Sequence, residues 1–205
     1  MTERAALGFR VHAGWVAVVC LAGSAGSPAV IERKRLLLTA NPLPFEPYHR
    51  AKGRGLAEAE AIVRAAADEA RNLATVGISA IIDATNAKGY KIVAINVVLG
   101  SGRPDFTLQQ ALSTHAAMHN AEGWLNREGV MNASRDLGLH VVGVLERDVY
   151  AQASGAFGLP EAELRERIAA LGAPIGPPWT IDQKLATLVA WLALVSKRGH
   201  LTTMH

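Results

Sequence analysis

Lys91–Leu99 reads KIVAINVVL, a near-continuous β-branched run. It predicts a strand covered on both faces, because a strand with one wet face alternates polar and apolar residues. Gly100-Ser101-Gly102-Arg103-Pro104 follows, and then Leu108–Leu125, LQQALSTHAAMHNAEGWL, which reads as a helix. A Gly-rich turn between a parallel strand and a helix is where open α/β sheets place ligands. This turn matches no phosphate-loop signature. The helical pattern carries on to Gly138, with Gly129 as an interruption, and Leu139–Glu146 (LHVVGVLE) reads as a second covered strand.

Toward the N-terminus lie three β-rich runs, Ala5–Val11, Trp15–Ala22 and Val30–Leu38. Their joins, His12-Ala13-Gly14 and Gly23–Pro28, are short and glycine-containing, so consecutive runs pair antiparallel. Glu32, Arg33, Lys34 and Arg35 make the third an edge strand with one wet face, and charges there block pairing with other chains. Thr39–Gly55 (TANPLPFEPYHRAKGRG) holds three prolines and two glycines and predicts an irregular basic loop over 39–55. Loops of this length are functional or disordered. Phe45, Tyr48, His49, Arg50, Lys52 and Arg54 suit a phosphate-bearing ligand there. Leu56–Lys88 is alanine-rich and helical, with Ile62, Ala66, Leu73, Gly77 and Ala84 as its inward stripe and a break expected near Gly77.

Toward the C-terminus, Val149–Phe157 and Pro160–Leu171 predict short helices, and Gly172–Pro178 (GAPIGPP) a loop. Thr180 with Gln183 has capping-box spacing for the last helix, whose inward face is Leu185, Leu188, Val189, Leu192 and Val195. The tail 197–205 is polar and expected to fray. One domain over 1–205 fits a chain of this length, and 50% hydrophobic against 19% charged residues argues against disorder. Cys20 is the sole cysteine, so no internal disulfide forms, and its apolar setting predicts a buried thiol. No signal peptide is read at the start, and the apolar run Leu185–Val195 is about half a membrane span, so a cytoplasmic protein without membrane partners is expected.

The chemical signal lies in the helix after the central strand. His115, His119 and Glu122 stand at i, i+4 and i+7, one face, on the stripe shared with Leu108, Leu112, Ala133 and Leu137. Two histidines one turn apart can share a transition metal, with a carboxylate as third ligand. Without metal, Glu122 can orient His119 as a base. The three are the candidate catalytic and metal-binding set. The same spacing also describes a buried His–Glu pair that only fixes packing.

The order of three β-runs, helix, strand, helix, strand and terminal helix resembles the ribonuclease H-like fold, closest to the RuvC Holliday-junction resolvases. LGFRVHAGWVAVVCL stands where that family has its acidic first strand and Gly turn. NASRDLGLHVVGVLERDVYAQASGAFG is similar to its helix–strand segment, and DQKLATLVAWLAL to its acid-led last helix. The resemblance implies a three-layer α/β fold: a mixed five-stranded sheet, three antiparallel strands then two parallel, flanked by helices. It also implies a nuclease holding two divalent metals with carboxylates from the first strand, the central strand and the last helix. Here Arg10 occupies the first position, the central strand ends in Leu99-Gly100-Ser101 with Asp105 the nearest acid, and only Asp182 has a counterpart. The usual carboxylate set is missing.

The expectation is therefore a relocated His/His/Glu site on a RuvC-like scaffold, acting on or binding an anionic, phosphate-bearing ligand. Arg10, His12, Ser101, Glu146, Arg147 and Asp182, at the strand ends and the last helix, are the candidate ligand-binding residues, with Arg10, His12, Glu146 and Arg147 expected to meet the histidine helix. A divalent metal is the candidate cofactor. The alternatives are a nucleic-acid-binding module without cleavage, for which the basic loop speaks, and an oligomerising protein, for which Trp124, opposite the histidine face, is the hint.

Overall fold

The computed structural model describes residues 2–24, 26–41, 45–101 and 105–196. The expected fraying at 197–205 falls outside them. A five-stranded sheet forms the middle layer in the order β3-β2-β1-β4-β5. Its strands are β1 (Glu3–His12), β2 (Trp15–Ser24), β3 (Ser27–Leu37), β4 (Tyr90–Leu99) and β5 (Val141–Leu145). The pairs β1–β2 and β2–β3 are antiparallel, whereas β1–β4 and β4–β5 are parallel. This is the sheet expected, with charged β3 at one edge. The Ala13-Gly14 turn joins β1 to β2, and Gly14 takes φ +80°, a conformation open to glycine at little steric cost.

The covered strands alternate between two cores. Leu7, Phe9 and Val11 of β1, Val16, Val18 and Cys20 of β2, and Ile95 and Val97 of β4 face α2 (Leu56–Ala87) and α4 (His115–Asp136). Ala6, Leu21 and Val98 face the opposite core, with α5 (Val149–Phe157), α6 (Glu161–Gly172) and α7 (Ile181–Val195). Thr180 and Gln183 form the expected capping box of α7.

Three local expectations are corrected. First, α2 runs unbroken through Gly77, which is a close-approach site: a Cβ there would sit 2.8 Å from Leu36 Cδ1. Its buried stripe is Ala66, Ala70, Ala74, Ile78 and Ile81, rotated from the one read in the sequence. Second, the loop over 39–55 contains a short helix, α1 (Pro47–Ala51), with Pro47 at the first helical position, where a missing N–H costs nothing. Third, the histidine helix is two helices. Thr107 and Gln110 form a capping box on α3 (Leu108–Ala111), and Thr114 caps α4 by accepting from the Ala117 N–H. His115 is thus the first residue of α4 and not part of a stripe continuing from Leu108. Trp124 is half-buried.

Cys20 is fully buried, with Thr85 Oγ1 3.9 Å from its sulfur. Burial pushes the thiol up to about 11 from its ordinary 9, only partly offset by the threonine. Ionisation is thus easier in the unfolded chain, so stability present below pH 9 is lost as pH rises toward 11. The expected result is no reaction of the native thiol with a thiol-specific reagent at pH 8 and rapid reaction after denaturation; modification of the native protein would contradict the burial.

Candidate metal centre

The site is built on α4 and completed from the loop that holds α1. Only Glu122 of the predicted trio is on the buried face, 1% exposed; His115 and His119 are exposed beside it. His49, on α1, joins them. Its Nε2 is 2.9 Å from His115 Nδ1, and His119 Nε2 is 2.9 Å from His115 Nε2. One ligand atom from each of the three rings falls within a span of 4.8 Å.

Glu122 explains why α1 forms where it does. No side chain of its own segment caps α1. Instead, Glu122 Oε1 accepts from the backbone N–H groups of Tyr48 and His49, at 3.2 and 3.4 Å. These are orphan donors of a first turn, and a carboxylate there is also favoured by the helix dipole. The same oxygen lies 3.0 Å from His49 Nδ1. One carboxylate therefore caps the helix and orients the ring it carries. With Nδ1–H donating to Glu122, His49 presents a bare Nε2 lone pair to the other two histidines.

Three hydrogen bonds run through the group, Glu122–His49, His49–His115 and His115–His119, and three imidazoles supply them with one N–H each. Glu122 Oε2 is buried without a hydrogen bond and lies 3.4 Å from His119 Nδ1. A cation held among the rings would turn both Nδ1–H groups of His49 and His119 toward the two carboxylate oxygens and leave a bare nitrogen on each ring as a ligand. With one ligand nitrogen from each ring within 4.8 Å of the others, small side-chain rotations would converge them on an ion at Zn–N distances of about 2.0–2.1 Å.

The candidate ligand-binding residues do not gather at this centre. Arg10 Nη2 pairs with Glu146 Oε2 at 2.8 Å, His12 Nε2 with Asp182 Oδ1 at 2.7 Å, and exposed Arg147 with Asp148 at 3.6 Å. The His12 ring also stacks on Trp15, centroids 4.3 Å apart. Among the described residues, no hydrogen bond or ion pair joins any of these, or Ser101, to the three histidines. The contact expected between the strand ends and α4 is made by Arg127, which the sequence reading did not single out. Its guanidinium lies against Gly100, where a Cβ would be 2.8 Å from Nη2.

The pair of divalent cations that the resemblance implies does not fit the strand ends. Arg10 and Arg127 repel cations, and Asp182 is engaged by His12, so among the described residues no oxygen-donor set of the kind hard cations need is assembled there.

No family model and no curated protein matches the sequence. Solved structures do. Thermus thermophilus RuvC in complex with a Holliday-junction substrate is similar at a TM-score of 0.52 and 10% identity, over 92% of this chain and 90% of that one. A structure of Thermus thermophilus RuvC alone is similar at a TM-score of 0.53 and 10% identity, over 91% of each chain. At that identity the likeness is one of fold: this chain has the ribonuclease H-like fold in the arrangement of RuvC.

Proposed function

We propose that this chain is a transition-metal protein on a RuvC-like scaffold, binding one ion of the Zn²⁺ class through His49, His115 and His119 and acting on an anionic, phosphate-bearing ligand. The observation that carries the reading is the gathering of three imidazoles, one ligand nitrogen from each within 4.8 Å of the others, beside a buried carboxylate that holds His49 through Nδ1. Three imidazoles favour a borderline ion over Mg²⁺. The exposure of His115 and His119 leaves outer coordination positions to water, as in catalytic rather than closed structural zinc sites. Such an ion supplies Lewis acidity and a water that ionises near neutrality. Glu122 holds the His49 ring and the α1 backbone in place.

The test is a titration of metal-free protein with Zn²⁺ and with Co²⁺ as a spectroscopic substitute. One equivalent is expected to bind, with the visible bands of a low-coordinate Co²⁺ site. The melting temperature should rise and fall back on chelation, and His119→Ala should weaken both responses. Melting unmoved by either metal or chelator rejects the metal centre.

A second reading, nucleic-acid binding without cleavage, rests on Arg50, Lys52 and Arg54, all exposed at and just after the end of α1. The structural likeness to a junction-bound resolvase is consistent with it. Binding to junction and single-stranded DNA should then fall steeply with salt. No affinity at low ionic strength removes this reading and leaves the metal centre untouched.

Among the described residues, no helix is long and apolar enough to cross a membrane.

A further inference from the structure

The carboxyl ends of β1 and β4 hold a second constellation that the metal centre does not use. Arg127, on α4 about 12 Å further along the axis than His119, is half-buried. Its Nε has no hydrogen-bond partner, and among the described residues its guanidinium makes no ion pair. Arg10 is close enough to oppose it electrostatically, and Arg10 Nε is likewise buried and unpartnered. The remaining Arg10 nitrogens are better satisfied: Nη2 pairs with Glu146 at 2.8 Å, and Nη1 reaches the Val11 carbonyl at 3.4 Å. Among the described residues, Glu146 is therefore the carboxylate that acts on both guanidinium groups. Burial, and then the charge of Arg10, hold Arg127 below the usual arginine range. A cavity of about 420 Å³ opens beside this group, lined by Gly100, Ser101, Leu145, Glu146 and Arg147. Gly100 is the floor against which the Arg127 guanidinium lies.

Two part-buried guanidinium groups sharing one carboxylate are short of negative charge, and arginine forks recognise tetrahedral oxyanions through paired N–H donors. The cavity also sits outside the carboxyl ends of parallel strands, where α/β sheets bind ligands. We infer that this cavity is an oxyanion site for a phosphate group, with Arg127 and Arg10 as its donors and Glu146 holding Arg10 in place. The inference does not depend on the histidine centre. Where the resemblance implies carboxylates holding cations, this chain has the opposite charge and takes the opposite ligand.

The test uses inorganic phosphate on the full chain in excess EDTA, so that no metal at the histidines contributes. Phosphate is expected to raise the melting temperature beyond sodium chloride at matched ionic strength. Arg127→Met should lose about tenfold to a hundredfold in phosphate affinity and, in phosphate-free buffer, melt no lower than the parent, because it removes the second of two guanidinium groups that share one carboxylate. A parent protein that responds to phosphate no more than to chloride overturns the site, and this arm needs no variant. A variant that melts lower yet keeps its phosphate response also overturns it, since Arg127 would then serve packing alone. The source of the phosphate is read by competition. Displacement of bound DNA by phosphate points to a nucleic-acid backbone, and phosphate binding without displacement points to a small phosphorylated ligand.

Discussion

Gly8→Ala is expected to destabilise the protein by about 3 kcal/mol or more, the upper part of the range for overpacked cores. Gly8 lies on β1 and faces α7. A Cβ there would collide with the Ala186 carbonyl oxygen and lie 2.7 Å from the Ala190 backbone nitrogen. Both are backbone atoms of a fully buried helix segment, so no rotamer change relieves the clash. Either α7 withdraws from the sheet or β1 shifts against β2 and β4, and both moves open the core around Leu188 and Trp191. With a total stability of roughly 5–15 kcal/mol, that loss should lower the melting temperature by about 10 °C. Gly155→Ala on α5 is the control, because its Cβ meets nothing within 4 Å. It should be neutral or slightly stabilising, as removal of a helical glycine usually is. Equal stability of the two variants would mean that α7 does not pack on β1 as described.

The sheet was legible because its evidence is local. Short glycine-containing turns dictate the antiparallel pairs, and the β-branched run KIVAINVVL marks a strand covered on both faces. The Gly8 contact shows where that legibility stops: a glycine inside a β-rich run carries no sign of the helix that will press on it. Helix boundaries were misread for a different reason. The signals were present, a Thr107–Gln110 capping box and Pro47 at a first turn, but helical spacing outweighed them. For the site, His115, His119 and Glu122 are within one helix and their proximity follows from its period. His49 is separated from Glu122 by 73 positions and from His115 by 66. The loop that carries it reads as an irregular basic crossover with residues suited to a phosphate-bearing ligand, whereas its conformation is decided by a carboxylate on another helix. Arg127 left no trace either, since a lone arginine within a helix ordinarily faces water.

Substitution of Glu122 separates its two tasks. Glu122→Ala removes the acceptor from the Tyr48 and His49 backbone N–H groups, which then lack a partner in a buried setting. Each unsatisfied donor costs about 1–3 kcal/mol, so α1 should detach before the rest of the chain unfolds. His49 leaves with it, and the metal centre is reduced to the two exposed histidines of α4. Glu122→Gln behaves differently. Its side-chain oxygen can still accept from the α1 backbone and from His49 Nδ1–H, so the fold and the His49 orientation persist. The amide nitrogen, however, now faces His119 Nδ1, where the carboxylate Oε2 stood 3.4 Å away. Two donors cannot share that contact, so His119 loses the partner that directs Nε2 inward, and the site loses its negative charge. Loss of such an orienting partner typically weakens metal binding by 10–100-fold. The expected pattern is a Zn²⁺ affinity lowered by about 10–100-fold in Glu122→Gln, with metal-free melting within about 1 kcal/mol of the parent. Glu122→Ala should show both the affinity loss and the lower stability. Amide exchange at Tyr48 and His49 discriminates further: protection should persist in the glutamine variant and vanish in the alanine variant. If Glu122→Gln binds Zn²⁺ as tightly as the parent, the carboxylate serves only to cap α1, and the orientation of the imidazoles must come from elsewhere.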